Sequence, residues 1–282
     1  MKNLSDIISN NSLIIEEAMK NYLISNKMPY EVLLESMRYS AYAGGKRIRP
    51  FLTLECAKSL GGSVEAALPF ACAIEMIHTY SLIHDDLPCM DNDDYRRGKP
   101  TNHKVFGEAN ALLSGDALLT YGLEVAAANP YVDAATALEA VKLLARNSGK
   151  DGMIGGQVID LMGEREKLSY EDFLLMNNLK TGCLIKTACL LGVLSTGRKA
   201  ESDEYKAFSR YAENIGLAFQ IEDDLLDMGS EDNKTTFLSF MTADEAKNKI
   251  TALTNEAIKV ISKYDTSGVL SSFALYLSSR TV

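Results

Sequence analysis

A dense acidic cluster follows one of the most apolar parts of the chain. Five aspartates lie between positions 85 and 94, and Arg96 and Arg97 come directly after them. Negative charge at the end of a helix opposes the helix dipole, so this cluster needs a positive partner. Carboxylate oxygens without nearby cysteine ligands favour Mg²⁺, which binds one or two carboxylates, water and substrate phosphates. The arginines supply forked donors for further phosphate oxygens.

This cluster has two other interpretations. A solvated acidic loop is the simplest of them, and nothing within the cluster alone excludes it. An EF-hand calcium loop is excluded by position. Counted from Asp91, Tyr95 stands where that loop needs an oxygen ligand and Arg96 stands where it needs a glycine.

A second acidic motif lies far along the chain, near the end of a helix that we expect from Asp203 to about Met228. Gln220, Asp223, Asp224 and Asp227 are three or four residues apart and form one polar stripe on this otherwise apolar helix. Carboxylates on one stripe repel each other unless a cation lies between them. The two motifs together predict Mg²⁺ held from opposite walls of a cavity.

Cationic and polar residues accompany the first motif. His78, Ser81 and Asp85 are three or four apart, so they share one helix face. The glycine turn Gly44-Gly45 precedes the basic run Lys46-Arg47-Ile48-Arg49, which could bind an anion. Exposed cations at a helix end are more often only solvated, and this alternative remains open at this point.

Lys180, Thr181 and Gly182 interrupt a predicted helix over about 170–195. A Lys-Thr-Gly run between apolar turns indicates a local break that exposes a backbone carbonyl. The alternative is a surface-facing lysine followed by a glycine that the helix tolerates. The sequence supports both interpretations equally.

The composition predicts an all-α globular protein. The 282 residues are 46% apolar and 24% charged, which is ordinary for one or two soluble domains, and no linker divides the chain. No stretch alternates strongly enough to predict a strand, whereas helical periodicity recurs. We expect long helices over about 64–87, 102–129, 170–195 and 203–228.

Charge and cysteine usage narrow the class of protein. The net charge of −9 argues against a nucleic-acid surface, so an anionic substrate needs local cations. The five cysteines lack CxxC spacing, which favours reduced thiols in the cytosol. The N-terminus lacks the apolar core of a signal peptide, and the apolar run over 183–194 is too short to cross a bilayer. We expect a cytoplasmic protein that is not integral to a membrane.

The order and spacing of these motifs resemble the trans-isoprenyl diphosphate synthases, most closely the bacterial farnesyl diphosphate synthases. The similarity extends over nearly the whole chain. It is carried by Gly44-Gly45-Lys46-Arg47, Arg49-Pro50, His78, Asp85 through Pro100, Gly107-Glu108-Ala109-Asn110, Gly155-Gly156-Gln157, Asp160, Lys180-Thr181, Phe219-Gln220, Asp223-Asp224 and Asp227.

The resemblance implies a fold and an assembly. Residues 1–282 would form a single all-helical polyprenyl synthetase domain, an isoprenoid-synthase-type bundle of about ten or more helices around a central deep cavity. The cofactor would be Mg²⁺, about three ions with a bound allylic diphosphate. The partners would be small-molecule diphosphates and a second copy of the chain in a homodimer.

The resemblance also implies roles for individual residues. The Mg²⁺ ligands would be Asp85, Asp91 and Asp223, while Asp86, Asp224 and Asp227 would act mostly through metal-bound water. The allylic diphosphate would also be held by Arg96, Lys180 and Lys234. Isopentenyl diphosphate would be held by Lys46, Arg49, His78 and Arg97. The allylic cation would face Thr181, Gln220 and the carbonyl of Lys180. Product length would be limited by Tyr80 and Ser81, with the aromatic ring as the floor of the cavity.

The implied reaction joins isopentenyl diphosphate to dimethylallyl or geranyl diphosphate and gives farnesyl diphosphate by Mg²⁺-dependent ionisation, condensation and elimination. A geranylgeranyl or other chain-length synthase is one alternative. A terpene cyclase uses one diphosphate, whereas Lys46, Arg49 and the Arg96-Arg97 pair favour two. After Asp227-Met228 the sequence lacks a Leu-Gly-Lys loop that is usual in the family, either because the loop is deleted or because a mobile lid is missing from the sequence given. A catalytically weakened regulatory subunit is therefore a further alternative.

Overall fold

The computed structural model describes residues 3–25, 27–227 and 235–278. Nearly all its elements are α-helices. They are α1 (Leu4–Tyr22), α2 (Glu31–Ala41), α3 (Ile48–Ser59), α4 (Val64–Asp85), α5 (Asn102–Phe106), α6 (Glu108–Ala127), α7 (Ala134–Ser148), α8 (Met153–Gly163), α9 (Tyr170–Asn177), α10 (Cys183–Leu194), α11 (Asp203–Leu226), α12 (Ala243–Ile261) and α13 (Val269–Leu277). A π-helical turn, Asn178–Gly182, joins α9 to α10, and a 3₁₀ turn, Phe237–Ser239, precedes α12.

Short polar side chains begin several of these helices. The hydroxyl of Ser63 accepts from the amide of Ala66 at the start of α4, and Ser202 does the same for Tyr205 at the start of α11. Thr242 and Glu245 form a reciprocal capping box on α12. Such caps satisfy amide groups that have no partner inside the helix, so they fix where each helix begins.

Helix α4 is the central helix of the main core. It packs against α3, α6 and α10, and residues such as Phe70, Ile74 and Ile77 are fully buried. By length and composition α4 could also cross a membrane, whereas the apolar run over 183–194 considered from the sequence is shorter. However, 78% of its most apolar window is buried inside the protein, as in the core helix of a globular domain.

A smaller apolar cluster lies beside the main core, where α9, α11 and α12 meet the 3₁₀ turn. Phe173 contacts Phe237 edge-to-face with ring centroids 4.9 Å apart, and Ile221 and Ile250 are buried with them. This cluster supports the C-terminal end of α11, which carries the second acidic motif.

The all-α prediction is confirmed, with local differences. The helix expected over 102–129 is divided at Gly107, whose φ of +80° is incompatible with a continuous right-handed helix. Helix α4 ends at Asp85, two residues earlier than expected. A short antiparallel hairpin with two residues in each strand, β1 (Tyr95–Arg96) and β2 (Lys99–Pro100), was not predicted. Its turn residues Arg97 and Gly98 both have positive φ, as the twist of a tight hairpin requires.

Candidate active site

A cavity of about 580 Å³ lies between α4, α6, α8 and the π-turn. Its wall is mostly apolar and includes Leu112, Leu119 and Leu161. Several residues predicted for the site line it, namely Arg49, His78, Tyr80, Ser81, Asp85, Lys180 and Thr181. The cavity thus joins acidic, basic and apolar groups that are far apart in the sequence.

A turn after α4 folds the first acidic motif back on itself. The amide of Asp91 donates to the carbonyl of Asp85 at 2.9 Å, so the chain reverses at Pro88. Burial raises the pKa of Asp85 to about 6; Lys180 opposes this rise and Asp91 adds to it. Asp85 is half-buried beside a second negative charge, an environment that a cation would stabilise.

The buried carboxylate of Asp86 pairs with Arg96. Its Oδ1 accepts from Nε of Arg96 at 2.6 Å and lies 2.5 Å from Nη2, and Asp93 lies 3.4 Å from the same guanidinium. Burial raises the pKa of Asp86, and the hydrogen bond from Arg96 opposes that rise. Asp86, expected to act through metal-bound water, therefore orients Arg96 in this structure.

Arg97 packs onto the glycine turn that precedes the basic run. Its Nη1 donates to the carbonyl of Gly44. A Cβ added at Gly45 would lie 2.8 Å from Cζ of Arg97, and Gly45 has a φ of +122° that side chains rarely adopt. Glycine at this position therefore allows the hairpin to approach the turn, and the two predicted basic segments meet.

Of the remaining cations of the predicted isopentenyl diphosphate site, Arg49 contacts His78, whereas Lys46 lies beside Tyr276. Arg49 Nη1 is 3.3 Å from His78 Nε2, and because a guanidinium only donates, the imidazole accepts. Burial and then the charges of Arg49 and Arg97 hold the pKa of His78 well below its ordinary value, so the ring is neutral. Burial also lowers the pKa of Arg49 to about 10. Lys46 Nζ lies 5.8 Å from the centre of the Tyr276 ring.

A buried ion pair beneath these cations was not predicted. Arg47, which has a φ of +47°, donates to Glu75 Oε1 and to the carbonyl of Ala41, each at 2.6 Å. The charge of Glu75 also raises the pKa of Arg49 and of Arg97 against the effect of burial. Glu75 is therefore the internal counter-ion of the basic cluster. The only feature in the sequence that could have indicated this role was a single carboxylate one helical turn before His78 in an otherwise apolar part of the helix.

The π-turn places Lys180 and Thr181 at the cavity. Lys180 Nζ donates to Asp160 Oδ2 at 2.5 Å. A Cβ added at Gly156 would overlap the amide nitrogen of Lys180 and lie 2.8 Å from its Cα, so this glycine lets α8 approach the turn. The predicted local break in the helix is confirmed as a π-turn, a feature frequent at functional sites.

Two polar residues of α8, Gln157 and Asp160, belong to the family resemblance but had no predicted role. Asp160 is the partner of Lys180, and Gln157 lines the cavity with a buried Nε2 that has no hydrogen-bond partner among the described residues. Their spacing placed them on one helix face. It did not identify which groups they would meet on another helix.

The second acidic motif lies at the end of α11, which packs against the π-turn. Gln220 Nε2 donates to the carbonyl of Asn177 at 2.9 Å and so connects the two elements. Asp224 Oδ2 accepts from the amide of Phe237 at 2.6 Å. Burial raises the pKa of Asp224 to about 6, and its neighbours Asp223 and Asp227 add to this rise. Lys234, predicted for the allylic diphosphate, lies outside the described residues.

The donor set fits magnesium. Within residues 3–25, 27–227 and 235–278, no three His, Cys, Asp or Glu side chains are grouped closely enough to hold a metal by themselves. Mg²⁺ is usually held by one or two carboxylates with water and substrate phosphates, so a complete protein cage is not required. Asp85 and Asp224 are half-buried carboxyl groups beside further negative charges, and these groups offer oxygen donors.

Comparison with known proteins gives a consistent result. The family model described as polyprenyl synthetase matches residues 30–272. Farnesyl diphosphate synthase of Geobacillus stearothermophilus is 42% identical over 251 residues, which is 84% of this chain and 84% of that protein. Geranylgeranyl diphosphate synthase of Cyanophora paradoxa is 44% identical over 252 residues, 84% of this chain and 83% of that protein. The apo crystal structure of an FPP/GFPP synthase from Zymomonas mobilis is 40% identical, with a TM-score of 0.92 over 98% of this chain and 99% of that one.

Proposed function

The chain belongs to the polyprenyl synthetase family, and from this premise we propose that it is a trans-prenyltransferase that makes farnesyl diphosphate. It condenses isopentenyl diphosphate with dimethylallyl or geranyl diphosphate. The observation that carries the proposal is the cavity of about 580 Å³, apolar inside and bordered by Asp85, Arg49 and Lys180. Its volume lies in the range of about 300–1,000 Å³ that is typical of small-molecule sites.

The allylic diphosphate is bound on the side of Asp85. Lys180 and Arg96 donate to its oxygens, and charge-assisted bonds of this kind strengthen as negative charge develops on the leaving group. Asp85, Asp91 and Asp223 are the carboxylates that we assign to Mg²⁺. When bound, Mg²⁺ neutralises the departing diphosphate.

Isopentenyl diphosphate is bound by Lys46, Arg49 and Arg97, with His78 as a neutral donor. Because Nε2 of His78 accepts from Arg49, the ring proton lies on Nδ1, and this N–H is left to donate to a phosphate oxygen. The charge of Glu75 opposes the repulsion that Arg49 and Arg97 experience from neighbouring arginines. Lys46, Arg49 and the Arg96-Arg97 pair support two diphosphate substrates, and a terpene cyclase needs only one.

The allylic cation is stabilised by neutral oxygen dipoles. Thr181, Gln220 and the carbonyl of Lys180 supply them, and the amide oxygen of Gln220 is buried with no hydrogen-bond partner among the described residues. Neutral dipoles stabilise a cation without bonding to it, and the apolar wall keeps water away. The double bond of isopentenyl diphosphate then attacks the cation, and the departing diphosphate takes the proton. No serine or cysteine nucleophile is needed.

The length of the product is set by the depth of the cavity. Tyr80 lies five residues before Asp85 on α4, and burial raises the pKa of its hydroxyl to about 12, so the group stays neutral. Its ring at the cavity wall supports a C15 product. Geranylgeranyl diphosphate is the second candidate product, since a relative named geranylgeranyl diphosphate synthase is 44% identical to this chain.

We also propose that residues 1–282 form a single domain, that two copies of the chain form a homodimer, and that the protein is cytoplasmic. Exposed apolar side chains on α6 (Leu112 and Leu113) and on α8 (Ile154 and Val158) support an interface that includes the open side of the cavity. Analytical ultracentrifugation measures the assembly. Sedimentation as a monomer at micromolar concentration would contradict the dimer and leave the activity untouched.

The activity is tested by incubation with labelled isopentenyl diphosphate, Mg²⁺ and each allylic diphosphate in turn, with the products separated by chromatography. We expect C15 from both the C5 and the C10 partner and little extension of C15. Extension to C20 would favour the geranylgeranyl synthase, and no product with any partner would favour the regulatory subunit. Removal of divalent ions with EDTA abolishes turnover, and restoration by added Mg²⁺ checks the cofactor.

A further inference from the structure

The Tyr80 ring is held in place by a neighbour and not by its own hydroxyl group. The hydroxyl oxygen is buried and has no hydrogen-bond partner among the described residues. The ring instead meets the imidazole of His84, one helical turn along α4, edge-to-face with ring centroids 5.6 Å apart. What positions His84 therefore also positions Tyr80.

His84 is anchored to the opposite helix. Its Nε2 lies 2.9 Å from the backbone carbonyl of Leu112 on α6, and because a carbonyl only accepts, the imidazole donates from Nε2. Asp116 Oδ1 lies 3.9 Å from the same nitrogen. The anchor thus joins the residue that contacts the Tyr80 ring to α6, which packs directly on α4.

A glycine makes this contact possible. A Cβ added at Gly115 would overlap Nε2 and Cδ2 of His84 and lie 2.9 Å from Cε1. Any larger residue at position 115 would therefore displace the imidazole. Gly115 is the notch in α6 that receives the His84 ring.

We propose that His84, seated in the notch at Gly115, is a positioning residue that fixes the Tyr80 ring and so sets the depth of the cavity. The inference deepens the proposed function and rests on it, because cavity depth is what limits the product. His84 needs no contact with the reacting atoms for this role.

Two substitutions should move the floor in opposite directions. His84→Ala removes the ring that Tyr80 packs against, so the Tyr80 ring is free to change rotamer and no longer closes the cavity. Gly115→Ala fills the notch, so the imidazole moves toward Tyr80 and the cavity becomes shallower. In turnover with geranyl diphosphate, we expect His84→Ala to shift products toward C20. Gly115→Ala should lower the fraction of C15 about tenfold when the reaction starts from dimethylallyl diphosphate, leaving C10.

The double variant separates positioning from a general loosening of the α4–α6 contact. If the alanine at position 115 acts by displacing the imidazole, it has nothing to displace once His84 is alanine. The double variant should therefore have the product distribution of His84→Ala alone. Gly122→Ala is the matched control, since its Cβ would press on the carbonyl of Ala73 at 2.9 Å across the same two helices without touching His84. We expect it to leave the product length unchanged.

Binding of saturated n-alkyl diphosphates in the presence of Mg²⁺ measures the depth without turnover. Affinity should rise about fourfold for each added methylene until the tail reaches the floor, and then stop rising. The length at which it stops should be greater for His84→Ala and smaller for Gly115→Ala than for the unmodified protein. An unchanged stopping length in both, or a Gly115→Ala effect that persists in the double variant, overturns the inference. Shifted stopping lengths in a protein that makes no product would instead overturn the proposed function and leave this inference standing.

Discussion

Lys180 and Asp160 form a short ion pair across the α8–π-turn contact, with Nζ and Oδ2 2.5 Å apart. Both side chains are partly exposed, 29% for the lysine and 27% for the aspartate, so the pair adds little to stability. Its effect is on orientation. An ammonium group has three donors, and one bond to Asp160 restricts a long side chain while leaving donors for a diphosphate.

The first prediction concerns this pair. Asp160→Asn should raise the KM for the allylic diphosphate about tenfold, because Lys180 loses the partner that orients it. The free energy of unfolding should change by less than about 1 kcal/mol. Steady-state kinetics with urea denaturation measures both. Asp151→Asn is the control. It weakens the exposed ion pair of Lys150 and Asp151, whose Nζ and Oδ2 are 2.7 Å apart and which does not line the cavity. Equal KM values for the two variants would contradict the prediction.

The second prediction concerns the counter-ion beneath the basic cluster. Glu75→Gln removes the closer carboxylate of the buried Arg47 and leaves only Glu16, whose Oε1 is 3.8 Å away, so unfolding should become easier by about 3 kcal/mol. The midpoint of urea denaturation measures this. Glu139→Gln serves as the control, because its pair with Lys142 is exposed and should contribute less than about 1 kcal/mol. A Glu75→Gln variant as stable as the control would show that the buried pair contributes nothing.

The third prediction concerns the approach of α8 to the π-turn. Gly156→Ala would push the backbone of Lys180 and should lower kcat at least about tenfold, because misplacement by about 1 Å is costly in an oriented site. Gly163→Ala, on the same helix, meets only the flexible side chain of Leu168 at 3.1 Å and should keep its activity. Comparing kcat of the two variants, with circular dichroism to confirm folding, tests this. Similar losses in both would mean that α8 merely tolerates alanine poorly.

The fourth prediction concerns the floor of the cavity. Tyr80→Ala removes the ring, so products should lengthen from C15 to C20 and beyond. Chromatography of the products from geranyl and isopentenyl diphosphates measures the shift. Tyr131→Ala is a suitable control, since that side chain is exposed and does not line this cavity. An unchanged distribution for Tyr80→Ala would rule out the ring as the floor.

Periodicity within one helix predicted part of the site correctly. His78, Ser81 and Asp85 share a face of α4 and all line the cavity, because residues three or four apart on a helix point the same way. The break around Lys180 was also visible, as a polar Lys-Thr-Gly run between apolar turns. The helix over 102–129 was predicted as continuous, because a single internal glycine does not reveal its φ.

Sequence alone determined the helical class, the two acidic motifs and the family that their order and spacing resemble. Only the tertiary structure decided which charges became partners, such as Asp86 with Arg96, Arg47 with Glu75 and Lys180 with Asp160. The physical reason is the difference between interactions that are local in sequence and contacts between distant segments. Helical periodicity is a local property with a fixed repeat, whereas a pair between elements depends on how closely two backbones approach. That approach is set by the packing of every residue between them and by glycines such as Gly45, Gly115 and Gly156.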